Sequence, residues 1–281
     1  MEHVTLSNGL AMPILGYGVY QIPSGPDTEN GVREALEVGY RSIDTAQAYG
    51  NEASVGAAIA ASGIDRGELF VTTKVWISNS GQAKAARSID ESLAKLRLDY
   101  VDLLLVHQPF GDYYGTWRAM EQAYGQGKVR AIGVSNFYPD RLIDLVTFGE
   151  VRPMINQVET HVFFQQRQGR RYMAKYGVQP ESWGPLAEGR GGIFDHPVLK
   201  SVGGKHAKTP AQVALRFLIE AGVVVIPKTT HRERMVENLD VFDFALDADD
   251  TAAIEQLDLG KSQFFHHADP DAAEMFMGLA R

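Results

Sequence analysis

The chain of 281 residues contains no cysteine, which excludes disulfide bonds and thiol catalysis and is typical of a reducing compartment. It also lacks an apolar run of the roughly 18 residues that a membrane-spanning helix needs. No long basic run is present, and 27 basic against 35 acidic residues argue against a nucleic-acid partner. The N-terminus has neither the basic start nor the apolar core of a signal peptide. These absences predict a soluble cytoplasmic protein with no membrane or nucleic-acid partner.

Short apolar runs alternate with helix-like segments along the chain, of which 44% is hydrophobic. Asn8-Gly9 between two short apolar runs predicts an N-terminal β-hairpin. Helical stretches such as residues 83–96 and 210–221 separate eight further strand-like runs, and Thr209-Pro210 predicts a capped helix start. The eight runs are residues 15–19, 42–44, 70–74, 101–107, 131–135, 155–157, 179–183 and 223–227. This alternation predicts an α/β fold with a parallel sheet, and eight units favour a single (β/α)8 TIM barrel spanning residues 1–281.

Two stretches show no helix or strand pattern. Residues 183–206 are rich in glycine and form the longer of the two, and long loops inside compact domains are usually functional. The tail after Lys261 carries Phe264, Phe265, His266 and His267, and we expect it to form a C-terminal substrate loop. We expect no metal at the two histidines, because adjacent residues seldom point at one ion.

Three chemically active residues end predicted strands, namely Asp44, Lys74 and His107, and Tyr49 lies in the loop after Asp44. The C-terminal ends of barrel strands converge on one face, which holds the active site. Taken alone, each residue has an ordinary interpretation: a loop acid, a packed aromatic, a solvated charge and a strand-end histidine. Together, an acid, a phenol, an ammonium and an imidazole suit proton transfer to a carbonyl oxygen.

No Gly-x-Gly-x-x-Gly motif follows the first strand, and Gly16-Tyr17-Gly18 is too short to be one. An open-sheet dinucleotide-binding fold is therefore excluded.

Several motifs in register resemble those of the aldo-keto reductases, and the resemblance covers nearly the whole chain. Residues 39–46 (Gly-Tyr-Arg-Ser-Ile-Asp-Thr-Ala), followed by residues 49–52 and 55–56, are similar to the family's first signature. Residues 133–137, 156–159 and 226–228 follow in the family's order, as do Lys74 and His107. Residues 181–186 and 264–270 are most similar to the bacterial branch that contains 2,5-diketo-D-gluconate reductases.

The resemblance implies a mechanism in which hydride passes from a nicotinamide to a carbonyl carbon while Tyr49 protonates the oxygen. A free phenol has a pKa near 10, too high for an efficient acid at neutral pH. The Lys74 ammonium would lower that pKa, and Asp44 would keep Lys74 charged and oriented. His107 would form a hydrogen bond to the same carbonyl oxygen.

The resemblance also implies that the cofactor is NADPH/NADP+ rather than NADH, although His231 replaces a basic residue of the most similar branch and leaves the strength of this preference open. Ser135, Asn136 and Gln157 would bind the carboxamide, and Trp183 would stack on the nicotinamide ring. Ser135, Asn136 and Gln157 could instead be turn and cap residues, and Trp183 could be a core indole. The loop after Leu186 could be a flexible surface loop, and the segment that starts at Pro227 could be a basic helix face. The remaining implied cofactor residues are Gly184 and Leu186 near the pyrophosphate, Lys228, Thr229 and Arg234 at the 2′-phosphate, and Glu237 and Asn238 at the adenine.

Tyr20, Trp76 and His107 should line the substrate pocket. Gln108 stands where most of the family has tryptophan, and the following loop is short, so we expect a more open and more polar pocket. The leading hypothesis is an NADPH-dependent, monomeric reductase of aldehydes and ketones, including sugar-derived and α-dicarbonyl compounds. One alternative is a cofactor-binding barrel acting as a redox sensor or regulatory subunit. Another is an isomerase or aldolase with a Schiff base on a deprotonated Lys74.

Overall fold

The computed structural model describes residues 2–280, and these begin with the predicted hairpin. Strands β1 (His3–Thr5) and β2 (Ala11–Pro13) pair in antiparallel fashion. The turn between them is closed by the Asn8 side chain, which accepts a hydrogen bond from the Leu10 amide at 3.1 Å. The Asn8 amide also donates to the Arg130 carbonyl oxygen at 2.9 Å. The hairpin therefore covers the N-terminal end of the barrel, opposite the predicted site.

Eight parallel strands form one sheet whose spatial order follows the chain order. The sheet closes on itself, because Leu15 pairs with Val225 and the Gly16 amide donates to the Val225 carbonyl oxygen at 2.8 Å. The predicted (β/α)8 barrel is thus confirmed. Its strands are β3 (Tyr17–Gly18), β4 (Ser42–Asp44), β5 (Phe70–Val75), β6 (Leu103–Val106), β7 (Ile132–Ser135), β8 (Ile155–Glu159), β9 (Gln179–Trp183) and β10 (Val224–Val225).

Helices fill the connections between the strands and surround the sheet. Thr209 caps the helix that begins at Pro210 through a reciprocal pair of hydrogen bonds with Gln212, as Thr209-Pro210 predicted. None of the helices within residues 2–280 is both long and apolar enough to cross a membrane. The helices are α1 (Pro26–Val38), α2 (Glu52–Ala61), α3 (Gln82–Leu96), α4 (Tyr113–Gly125), α5 (Pro139–Phe148), α6 (Arg167–Tyr176), α7 (Pro197–His206), α8 (Pro210–Glu220), α9 (Arg232–Leu239), α10 (Ala248–Glu255) and α11 (Pro270–Gly278).

One continuous core joins the strands to the inner faces of the helices. Strand β6 shows the pattern most clearly, since all four of its residues are buried, as expected for a strand covered on both faces. Helices α2 and α3 approach closely at Gly56, where an added Cβ would lie 2.3 Å from the Leu96 carbonyl oxygen. This packing fixes the loops that carry the residues of the predicted site.

Both stretches that we predicted to be irregular contain helix, so that prediction was wrong in part. Short 3₁₀ turns lie at the two ends of Ala187–Asp195, residues 188–192 between them have non-helical backbone angles, and α7 follows directly. The glycines of α7 hid the helix from the sequence pattern, although Gly203 is needed for close packing against the Lys208 carbonyl oxygen. In the tail, Asp269 caps α11, which buries Phe276. The C-terminal segment is therefore a short loop followed by a docked helix.

Candidate active site

A cleft of about 830 Å³ opens at the C-terminal ends of the strands. This volume is typical of a small-molecule site. The cleft brings residues from most of the barrel strands and loops together, as strand-end convergence predicted. The predicted site residues that line it are Tyr20, Asp44, Tyr49, Trp76, His107, Ser135, Asn136, Gln157, Trp183, Gly184, Leu186 and Lys228.

Lys74 and Asp44 form a buried ion pair below the floor of the cleft. The Lys74 ammonium, which has no exposed surface, donates to Asp44 Oδ1 and to the Thr45 carbonyl oxygen at 3.0 Å. The second Asp44 oxygen accepts from Gln157 Nε2 at 2.9 Å. Burial lowers the pKa of Lys74, but attraction to Asp44 and Tyr49 outweighs it and the net pKa is raised. The amine is therefore charged, which argues against Schiff-base chemistry at this lysine.

Tyr49 lies directly above this pair, with the Lys74 ammonium 5.2 Å from the centre of its ring. Burial raises the pKa of Tyr49 to about 12, although the nearby Lys74 ammonium lowers it. We predicted a net lowering, and that was wrong for the protein alone. The ammonium acts in the expected direction, but the desolvation of the phenol is larger. Tyr49 is therefore a neutral phenol that holds its proton.

His107 faces Tyr49 and Trp76 edge-on, with ring centroids 5.6 Å and 5.0 Å away. Burial, followed by the charge of Lys74 and the neighbouring His267, lowers the pKa of His107 well below its usual value of 6.5. The imidazole is therefore neutral at physiological pH. Its buried Nδ1 has no hydrogen-bond partner within residues 2–280.

Ser135, Asn136, Gln157 and Trp183 form one hydrogen-bonded group along the cleft. Asn136 has a left-handed backbone with φ of 65°, and its side-chain amide donates to the His107 carbonyl oxygen at 3.1 Å. Its Oδ1 accepts from Trp183 Nε1 at 2.8 Å, and Ser135 Oγ donates to the Gln157 carbonyl oxygen at 2.9 Å. The alternative that Ser135 or Asn136 caps the next helix is wrong, because Tyr138 holds the N-cap position of α5.

The tail is fastened beside Trp183 by a carboxylate that the sequence reasoning did not single out. Glu159 accepts hydrogen bonds from Ser262 Oγ at 2.5 Å and from the Gln263 amide at 2.8 Å. As a result Phe264 packs edge-on against the Trp183 ring, with centroids 5.3 Å apart. The predicted strand run ended at Gln157, whereas β8 extends to Glu159. Extending the strand by two residues would have placed Glu159 on the same inner face as Gln157.

Arg190, in the glycine-rich loop, links that loop to the tail, a contact that the sequence did not predict. Its guanidinium lies 4.1 Å from the centre of the Phe264 ring and donates to the Gln263 carbonyl oxygen at 2.7 Å. Both Arg190 and Phe264 line the cleft. The loop and the tail therefore form one wall.

Helix α11 and the loop before it supply a further part of the cleft lining, beside Gln108. Gln108 lines the cleft, but its side-chain Oε1 also forms a hydrogen bond with His267 Nε2 at 2.8 Å. His267 in turn stacks on Phe276, with ring centroids 5.4 Å apart. The cleft residues that the tail supplies are mainly apolar, namely Phe264, Phe265, Met275, Phe276 and Leu279.

The residues implied to bind the adenine end lie at the rim rather than in the cleft, with the exception of Lys228. Thr229 Oγ accepts from the His231 amide at 3.1 Å, which shapes the turn before α9. Arg234 is exposed on α9, where Asn238 is buried. Glu237 accepts a hydrogen bond from Thr209 Oγ1 at 2.5 Å, so it is already engaged by the protein.

Glu181 is a further buried ionisable group of the barrel and was not among the predicted site residues. It has no exposed surface, and neither carboxyl oxygen has a hydrogen-bond partner within the described residues. Burial, followed by the charge of Asp44, raises the pKa of Glu181 to about 8, although Gln157 and Lys74 act in the opposite direction. An acid within a predicted barrel strand, two residues before Trp183, was the available signal.

The chain resembles known proteins over almost its entire length. It matches the model of the Aldo/keto reductase family over residues 15–191 and 195–259. It is 44% identical over 257 residues to the glyoxal reductase of Bacillus subtilis (strain 168), covering 91% of this chain and 92% of that protein. It is 43% identical over 261 residues to the methylglyoxal reductase DkgA of Escherichia coli (strain K12), covering 92% and 94%. A Bombyx mori aldo-keto reductase solved in complex with NADP superposes with a TM-score of 0.89 at 33% identity, covering 97% and 96%.

Proposed function

The chain belongs to the aldo/keto reductase family and is an oxidoreductase, and we propose that it reduces aldehydes and ketones to alcohols with NADPH. The observation that carries the proposal is the buried Asp44–Lys74 pair beneath Tyr49, with a neutral His107 beside it. A proton donor, a group that stabilises its conjugate base and a second hydrogen-bonding group meet in one cleft.

The cleft fits a nicotinamide cofactor. A partly exposed indole, Trp183, lies beside the Asn136 and Gln157 side chains, and glycines with positive φ follow it at Gly184 and Gly189. Glycine lets backbone amides approach a pyrophosphate closely. Lys228 supplies a positive charge at the far end of the cleft.

When bound, the nicotinamide supplies the hydride that the carbonyl carbon accepts. We assign the proton to the Tyr49 hydroxyl, which donates it to the carbonyl oxygen. The Lys74 ammonium stabilises the phenolate that remains, and Asp44 keeps the ammonium in place. The neutral His107 forms a hydrogen bond to the same oxygen and positions the carbonyl.

We assign the cofactor contacts residue by residue. Ser135, Asn136 and Gln157 hold the carboxamide, and Trp183 stacks on the ring. The NADP complex of the Bombyx mori relative and the basic residues around α9 support NADPH over NADH. The remaining assigned residues are Gly184 and Leu186 at the pyrophosphate, Lys228, Thr229 and Arg234 at the 2′-phosphate, and Glu237 and Asn238 at the adenine.

The names of the relatives support α-dicarbonyls such as glyoxal and methylglyoxal as substrates. Tyr20, Trp76 and His107 would contact the substrate at the mouth of the cleft. We also propose that the chain is cytoplasmic, and that it acts as a monomer because its sequence has no heptad pattern. The sensor alternative requires the cofactor to bind without turnover, and the charged Lys74 argues against the Schiff-base alternative.

The test is NADPH oxidation by the purified protein against aldehydes, ketones and α-dicarbonyls, with NADH in parallel. Tyr49→Phe should reduce turnover by about 10²–10⁴-fold, since general acid catalysis contributes that much, while NADPH still binds. Tyr113→Phe is the matched control and should keep its turnover, because it removes a phenol outside the cleft lining whose hydroxyl donates to Asp144 at 3.2 Å. Tight NADPH binding without turnover on any carbonyl would instead favour the sensor function.

A further inference from the structure

The interior of the barrel contains an acid that the proposed chemistry does not use. Glu181 lies on β9, where it pairs in register with Gln157 on β8 and Val224 on β10. Register neighbours of a parallel sheet point to the same face. Because Gln157 reaches across to Asp44 at 2.9 Å, that face is the barrel interior. Glu181 therefore points toward the buried Asp44–Lys74 pair.

Few polar groups among the described residues lie near Glu181. Gln157 faces it from β8, and Val224 offers only an apolar side chain from β10. Asp44 on β4 and Lys74 on β5 are the charged groups that act on it across the barrel. Tyr49 lies beyond Lys74. Glu159, one pleat further along β8, is engaged by His161, Ser262 and Gln263.

Lys74 has one positive charge, and Asp44 already balances it. A second ionised carboxyl in this layer would leave a net negative charge with no exposed surface, and the nearby Gln157 amide already donates to Asp44. Such a charge is costly, and groups in this position usually remain neutral instead. The geometry alone thus favours a protonated Glu181.

We propose that Glu181 is a positioning residue that must remain protonated so that the Lys74 ammonium can act fully on Tyr49. The inference rests on the proposed reductase function. If Glu181 lost its proton, its carboxylate would attract the Lys74 ammonium and oppose the growing phenolate. Proton donation from Tyr49 would then become less favourable. Glu181 itself neither touches the substrate nor donates the transferred proton.

The raised pKa of Glu181, about 8, sets the expected pH window. Below that pH the carboxyl is neutral and reduction proceeds at its full rate. As the pH rises through about 8, the carboxyl ionises and the rate falls. One unit of change in the pKa of Tyr49 corresponds to about a tenfold change in equilibrium, so we expect a decline of about three- to tenfold between pH 7 and 9.5.

Single-turnover oxidation of NADPH across this pH range tests the proposal, because it isolates the chemical step from product release. Glu181→Gln mimics the protonated acid and should flatten the alkaline decline while keeping the rate at pH 7. Glu181→Met, which carries neither charge nor polar group, should behave in the same way if charge is the cause. Glu52→Gln is the matched control, since Glu52 is also buried but accepts a hydrogen bond from Thr73, and it should keep the wild-type profile.

Infrared spectroscopy of the wild type supplies a readout that does not depend on activity. The carbonyl stretch of a protonated carboxyl should be present at pH 7, fade as the pH rises above 8, and be absent from Glu181→Gln. An unchanged alkaline decline in Glu181→Gln, or an ionised carboxylate at pH 7, would overturn the inference. Absence of any carbonyl reduction by the wild type would instead overturn the proposed function, and the infrared band would still report on the proton.

Discussion

The two ends of the barrel differ in how far their buried polar groups are satisfied. At the N-terminal end, Asp102 precedes β6, and its carboxylate is fully compensated by Arg66 at 2.6 Å, Arg130 at 2.9 Å and the Val71 amide at 2.9 Å. At the C-terminal end, Glu181 has no hydrogen-bond partner among residues 2–280, and neither has His107 Nδ1. Buried polar groups are normally satisfied, and unsatisfied ones concentrate at functional sites. Asp102 at the N-terminal end has all its partners, whereas buried polar atoms at the C-terminal end, which holds the cleft, lack partners among the described residues.

The largest expected effect comes from breaking the buried Asp44–Lys74 pair at the C-terminal end. Lys74→Met removes the charge that stabilises the Tyr49 phenolate, and we expect single-turnover reduction to fall by about 10²–10⁴-fold. It also leaves Asp44 buried without its partner, which should cost about 3–5 kcal/mol of unfolding free energy.

The double variant Lys74→Met/Asp44→Asn separates these two losses. It removes both buried charges, so urea unfolding should show most of the stability restored while activity remains lost. Recovery of activity together with stability would mean that Lys74 serves only to hold the fold.

The next prediction concerns Asp102 at the N-terminal end of the barrel. Asp102→Asn weakens the bonds to two arginines that are themselves partly exposed, so we expect a loss of about 2–3 kcal/mol in urea unfolding. The kcat/KM of the folded protein should stay within about twofold of the wild type, since the N-terminal face of a barrel contributes stability rather than catalysis. A large fall in kcat/KM at unchanged stability would contradict the division between the two ends.

The smallest effect is expected from pH acting on the docked tail. Burial lowers the pKa of His267 to about 3, below its usual 6.5, so the unfolded state binds more protons between these values. The stability that depends on a neutral His267 is present above about pH 6.5 and is lost as the pH falls toward 3. Limited proteolysis should therefore cut the wild-type tail faster at pH 5 than at pH 7.

The matched variants are His267→Gln and His266→Gln. The first should remove most of this pH dependence, and the second should change it much less, because burial is the larger cause of the lowered pKa of His267. Equal acid sensitivity in all three proteins would show that His267 does not control the docking of the tail.

The barrel and its floor could be predicted because each strand end carries its own local pattern. Residues such as Asp44, Lys74 and His107 follow apolar runs, and the closed sheet then fixes where they meet. Contacts between distant segments could not be predicted in this way. The bond from Gln108 to His267 joins residues 159 positions apart, so no local pattern predicts it.

The pKa of Tyr49 was missed for a related reason. The sequence identified the ammonium that lowers it but contained no measure of how deeply the ring lies, and burial proved to be the larger effect. Glu181 was missed because its significance is a lack of partners, which only the complete structure reveals.

The closure between Leu15 and Val225 has a consequence for how the protein folds. The strands on either side, β3 and β10, each have two residues and are the first and last of the sheet, so this pairing spans most of the chain and has a high cost in loop-closure entropy. During synthesis the barrel can close only after residue 225 has left the ribosome. Gly18 and Lys228 line the cleft on opposite sides of this junction. A molecule bound there would therefore contact the parts of the sheet that are synthesised first and last.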